Sequence, residues 1–212
     1  MKKFILLSVT TLFTFTIFLS SQLVLSTDVV ASDFRPKVSG APSRRVGGGT
    51  RGINEMIPFL VTLAPENTGE TTNAQPTLYW YVSRIINKPF KFTITKSNPV
   101  EDSDFDPLLE VDIKKLASGI QSVSLAEHNI SLQPDVEYDW SIAIVMDTKR
   151  RSNDITATGT IKLVESADKE TWYDNFASLS NSLANTPDNQ ELIQQREVLI
   201  KQVGLDKYVL NK

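Results

Sequence analysis

Residues 132–146 read LQPDVEYDWSIAIVM. Tyr138, Trp140, Ile142, Ile144 and Met146 recur every second position, so in an extended chain all five side chains leave one face. Polar Asp139 and Ser141 occupy the other face, and Pro134 precedes the run where a turn admits it. Six further runs of the same texture surround this one. They are MIPFLVTL (56–63), PTLYWYVS (76–83), FKFTITK (90–96), LLEVDIK (108–114), GIQSVSLA (119–126) and DITATGTIKLV (154–164). Phe90, Phe92 and Ile94 share a face, as do Leu109, Val111 and Ile113. No helical period intervenes, so the pattern predicts about seven strands in a mainly β, two-layer antiparallel domain over 56–165.

The layout Leu132, Pro134, Tyr138, Trp140 predicts a tyrosine corner: a loop turns at a proline and enters a strand at a tyrosine whose hydroxyl bonds back to the loop backbone. This spacing resembles that of fibronectin type III domains. The resemblance implies an immunoglobulin/fibronectin-III-like sandwich, with Tyr138 opening the sixth of its strands.

After Glu165 the period changes. Trp172, Phe176, Leu179 and Leu183 form one helical stripe, preceded by Asp168 and Glu170 where a helix dipole favours them. A second helix is punctuated by Thr186 as cap, Pro187 at its first position and Gly204 at its close, with Leu192, Leu199 and Val203 as its stripe. The expectation is a C-terminal helical pair, 166–212, packed on the sheets.

The N-terminus reads as a secretory signal, residues 1–31. Lys2 and Lys3 precede an apolar stretch from Phe4 to Leu25 that serine and threonine dilute, and Val29-Val30-Ala31 offers small residues for cleavage. Contact with a membrane is expected only if that segment is retained. The positive charges Arg35, Lys37, Arg44 and Arg45 just beyond it tend to resist export.

Residues 32–55 read as a flexible arm rich in glycine and arginine. Within it, Gly47 to Gly52 satisfies G-x-G-x-x-G, the dinucleotide-binding pattern. That motif works only between a strand and a helix that aims its amide groups at phosphate. Here the preceding KVSGAPSRR has no apolar run, and Pro58 with Ile57 before it opposes a following helix. No nucleotide is expected. The arm carries a net charge of +4 over 32–54, against −8 over 55–212. Such an arm suits an anionic partner or its own acidic body.

Recognisable catalytic chemistry is scarce. The chain has 1 histidine and 0 cysteines, so thiol catalysis and histidine-rich zinc sites are excluded. The lone His128 reads as a solvated loop residue. Asp102, Asp104 and Asp106 alternate as in a calcium loop, but Pro107 stands where an EF-hand needs glycine and Ile113 where it needs glutamate. Carboxylate-dependent hydrolysis of envelope or extracellular carbohydrate is the alternative to a binding role.

The ordered segments RRVGGGTRG, VTLAPENTGETT, PTLYWYVS, LQPDVEYDWSIAIVMD, TKRRSND, GTIKLV and WYDNFASL together resemble the secreted cyanobacterial family called domain of unknown function 928. The likeness runs from about Arg44 to Leu205. It implies an exported bacterial protein, periplasmic or extracellular, and carries no catalytic residue with it. The expected function is a non-catalytic binding or assembly module of the cell envelope, without cofactor, nucleotide or nucleic acid. Tyr79 and Tyr81, opposite Trp80 on their strand, and the basic turn Lys149, Arg150, Arg151 are the expected contacts for an envelope protein or polymer.

Overall fold

The computed structural model describes residues 43–47, 58–114, 117–165 and 171–210, all within one compact unit spanning 31–212. Nine strands and three α-helices occur among them. The strands are β1 (Val46–Gly47), β2 (Leu60–Leu63), β3 (Gly69–Thr71), β4 (Thr77–Val82), β5 (Phe90–Lys96), β6 (Leu109–Ile113), β7 (Gly119–Ser124), β8 (Glu137–Ile144) and β9 (Ile155–Leu163). The helices α1 (Trp172–Asn185), α2 (Gln190–Gln202) and α3 (Asp206–Val209) follow. The protein is thus mainly β, with C-terminal helices.

One sheet has the order β1-β2-β4-β7 and the other β3-β9-β8-β5-β6. The chain changes sheet between β2 and β3, β3 and β4, β4 and β5, β6 and β7, and β7 and β8. Strict alternation sets the registers: Phe92 lies opposite Ile142 and Ile94 opposite Trp140, so the apolar faces of β5 and β8 point the same way. Leu78, Trp80 and Val82 of the first sheet join Phe90, Phe92, Trp140 and Ile142 of the second in one core. Each such aliphatic or phenyl side chain removed from water stabilises the fold by about 1.5–3 kcal/mol.

Two strands were not expected, and one changes the class of its sheet. β3 pairs with β9 in parallel, Gly69 beside Ile161 and Thr71 beside Leu163, so that sheet is mixed and not purely antiparallel. Its sequence, GET, has no apolar alternation, and tertiary neighbours hold it in place: β9 pairs with it on one side, and Asp174 of α1 accepts from the Thr71 hydroxyl at 2.5 Å and the Thr72 amide at 2.8 Å. The other, β1, falls inside the segment read as a flexible arm. Val46 and Gly47 pair with Val61 and Leu60, while Arg44 exchanges backbone and side-chain hydrogen bonds with Thr158. Gly47 fits because a Cβ there would stand 2.5 Å from the Thr156 carbonyl oxygen. Residues 43–47 therefore belong to the folded domain; the rest of the arm, like the signal segment, lies outside the described residues.

The helices dock through aromatic side chains. Trp172 stacks on Phe176 with ring centroids 5.0 Å apart, and Phe176 meets the edge of Tyr79 at 5.2 Å. Trp172 Nε1 donates to the Leu199 carbonyl at 3.0 Å, fastening α1 to α2. Thr171 caps α1 by accepting from the Asp174 amide. The cap of α2 is Asn189, whose Oδ1 accepts from the amides of Glu191 and Leu192, and not Thr186 as its spacing suggested. Thr186 instead donates its hydroxyl to the Ser182 carbonyl and closes α1, because the Pro187-Asp188 turn delays the next helix. Gly204, at φ 69°, ends α2 in the left-handed conformation that glycine adopts freely.

Candidate partner-binding surface

Strand registers place every loop at one of two ends. Gly47, Leu60, Val82, Phe90, Ile113, Gly119, Ile144 and Ile155 all stand at the same end of their strands. The described loop residues there include Arg84, Lys88, Lys114, Lys149, Arg150 and Arg151, against the carboxylates of Asp147 and Asp154. On a chain of net charge −3 this is a concentrated positive end.

Local hydrogen bonds explain why the β8–β9 hairpin presents its charges outward. Asp147 Oδ1 accepts from the Lys149 amide at 2.8 Å, an Asx turn. Asp154 accepts from the Met146 amide at 3.1 Å and from Arg151 Nε at 2.5 Å. Both aspartates thereby hold the turn's shape, and Arg151 is neutralised. Lys149 and Arg150 are exposed, with no side-chain hydrogen bond or ion pair among the described residues. The neighbouring loop is tied in by the Val145 amide on the Pro89 carbonyl and by Lys88 Nζ on the Met146 carbonyl. From it Ile85 projects into solvent, 71% exposed.

The opposite end has the reverse character. Glu66, Glu101, Asp102, Asp106, Glu127 and Asp135 occupy its loops, together with two exposed apolar side chains, Val100 and Phe105. Asp104 is committed locally: its Oδ1 pairs with Lys96 Nζ at 2.5 Å and its Oδ2 accepts from the amides of Val100 and Glu101. The Lys96 ammonium, with those amides, holds the Asp104 carboxyl below its ordinary range, and Asp104 in turn raises Lys96. Asp102 and Asp106 are exposed, and Asp106 lies beside Asp104 at one hollow. Among the described residues no group of three or more histidine, cysteine, aspartate or glutamate side chains is placed to hold a metal ion. His128 is exposed in the same region.

A hollow of about 360 Å³ at this end is lined by Lys96, Asp104, Asp106, Gln133 and Tyr138, among others. Its floor is the corner around Tyr138. The Tyr138 hydroxyl accepts from the Gln133 amide at 3.2 Å, Leu132 is buried, and Pro134 bridges to Leu163. Asp135 takes a φ of 61° there, and its carboxylate pairs with Lys162 at 3.0 Å. Trp140, two residues into the strand, lies wholly in the core.

The two tyrosines expected as contacts are not at the surface. Tyr79 and Tyr81 do point away from Trp80, as alternation requires, but Phe176 of α1 packs on Tyr79 and both tyrosines are buried, 7% and 6% exposed. Burial pushes the Tyr79 phenol up from its usual pKa. The basic arm is likewise partly consumed: Arg45 Nη1 donates to the carbonyls of Ala64 at 3.1 Å and Val203 at 2.7 Å. Partial burial lowers the pKa of that guanidinium, an effect that Glu66 first, then Tyr173 and Tyr208, offset only in part. Tyr173, which joins helix to sheet through Trp140 and the Thr160 carbonyl, has no periodic signal of its own beside Trp172 in sequence.

Among known protein families, the one described as Domain of Unknown Function (DUF928) matches residues 46–169, from β1 to just beyond β9. No curated protein and no solved structure matches the chain.

Proposed function

We propose, for a chain that belongs to the DUF928 family, that it is an exported, non-catalytic binding or assembly module of the bacterial cell envelope, working through the basic loop end. The observation that carries the reading is the Lys149–Arg150 tip. Two aspartates are spent on holding its shape, while its foremost cations face water beside Arg84, Lys88 and the exposed Ile85. Such an end attracts anionic groups over about a Debye length, 10 Å at 0.1 M salt.

The supporting scaffold reads as an immunoglobulin/fibronectin-III-like sandwich. The order β2-β4-β7 follows A-B-E of that fold and β9-β8-β5-β6 follows G-F-C-C′, with Tyr138 near the start of the F strand. β1 and the parallel β3 are additions to that plan. Export rests on the N-terminal signal pattern and on the family resemblance, as does a cyanobacterial, periplasmic or extracellular setting. Among the described residues no helix is long and apolar enough to cross a membrane.

Sedimentation with isolated envelopes of the source cell tests this function. The wild type is expected to co-sediment at low salt, and Lys149→Ser/Arg150→Ser to remain in solution while melting at the same temperature. Equal sedimentation of both proteins would refute the role of the basic end.

A further inference from the structure

Both ends of the molecule expose apolar side chains inside rings of charge, and the charges are opposite. At one end Ile85 stands among Arg84, Lys88, Lys149 and Arg150; at the other Val100, 88% exposed, and Phe105, 68% exposed, stand among Glu101, Asp102 and Asp106. Among the described residues Arg84, Lys149 and Arg150 at one end and Glu101, Asp102 and Asp106 at the other form no ion pair. Lys96 pairs with Asp104 and Arg151 with Asp154, and these pairs leave the rest of each ring free to act outward.

From this complementarity we infer that the protein self-associates head to tail, the basic end of one copy seated on the acidic end of the next. Resting on the binding role proposed above, this names the occupant of the basic end: a second copy of the chain. Like ends repel, so a two-fold pairing of basic end with basic end is opposed, and only the heterologous joint brings opposite charges together. That joint also covers Ile85, Val100 and Phe105 at once. Because the two ends lie at opposite extremes of the same strands, successive copies add along the strand direction. Repetition then builds an open chain and not a closed ring. The charged rims steer encounter and set register, while the few apolar side chains at the centre limit affinity, as in small transient interfaces.

The test uses the protein in the form its source cell holds, purified and run in sedimentation velocity over a range of concentrations. At about 0.01 M salt, where the Debye length is about 30 Å, the weight-average mass is expected to climb past the dimer with concentration. At about 1 M, where it shrinks to about 3 Å, the protein is expected to be monomeric. A basic-end variant, Ile85→Ser/Lys149→Ser/Arg150→Ser, and an acidic-end variant, Asp102→Asn/Phe105→Ser/Asp106→Asn, should each be monomeric alone. All six positions are exposed, and unchanged thermal midpoints would confirm that both variants fold. Mixed in equal amounts they retain one intact joint per pair, so dimer and nothing larger is expected. A wild type monomeric at every concentration, or a mixture that stays monomeric, overturns the inference. If the wild type is monomeric yet sediments with envelopes through Lys149 and Arg150, head-to-tail assembly falls and the binding role stands; if it does neither, both fall.

Discussion

Trp140 and Tyr173 meet in the interior, the indole Nε1 donating to the phenol oxygen at 3.0 Å. The tyrosine then donates its own proton to the Thr160 carbonyl at 3.2 Å. A residue of α1 thus satisfies two buried polar groups of β8 and β9, and the helix becomes part of the β-domain's core.

Tyr173→Phe removes that oxygen and leaves the Trp140 N–H buried without its acceptor. The loss of a buried partner costs about 1–3 kcal/mol. Urea unfolding should show a midpoint lowered accordingly at unchanged m-value, and a Trp140→Phe/Tyr173→Phe double variant should lose less than the sum of the singles.

Alkaline stability should depend on the same phenol. Burial raises the Tyr173 pKa far above the usual value of 10, so above that pH the unfolded chain releases a proton that the folded chain keeps. Its contribution is therefore fully present below about pH 10 and declines as pH rises toward the folded pKa, by at most about 1.4 kcal/mol per pH unit. Chemical denaturation between pH 9 and about 11 should fall less steeply in Tyr173→Phe than in the wild type; identical slopes would show that the phenol titrates normally.

Gly159→Ala should destabilise without altering the surface. A Cβ there would stand 2.8 Å from the Trp140 ring and 3.0 Å from the Ala64 Cβ, both fixed in the core. Overpacking of this kind costs about 1–3 kcal/mol, readable as a lowered thermal midpoint. A variant as stable as wild type would mean that the indole has room to retreat.

Arg45→Met keeps most of the side chain's length but withdraws the donor to Ala64 and Val203. Hydrogen bonds from a charged donor contribute about 1.5–3 kcal/mol. Hydrogen exchange should quicken selectively in residues 199–205, at the end of α2. Uniform exchange across the sheet as well would indicate global loss and not release of the helix end.

Much of the fold was legible because alternation is local. The β5 strand, Phe90–Lys96, coincides with the run FKFTITK, and the other six expected strands are present with shifted ends. Neither β1 nor β3 was legible: two or three residues cannot display a period, and GET pairs with β9 only because the chain brings them together. The Lys149–Arg151 turn could be read as basic and exposed, since a charged hairpin tip has no alternative to water. Tyr79 and Tyr81 could not be read as buried, since alternation assigns a face to a side chain without saying what covers that face.

By itself the sequence determined which segments extend, which coil and which side of each strand is apolar, because these follow from neighbours a few bonds apart. Tertiary structure alone decided that α1 inserts Tyr173 beside Trp140, that Arg45 anchors α2, and that loops far apart in the chain gather into one basic and one acidic end. Those outcomes depend on strand order and register, which join residues a hundred positions apart through packing that no local period encodes.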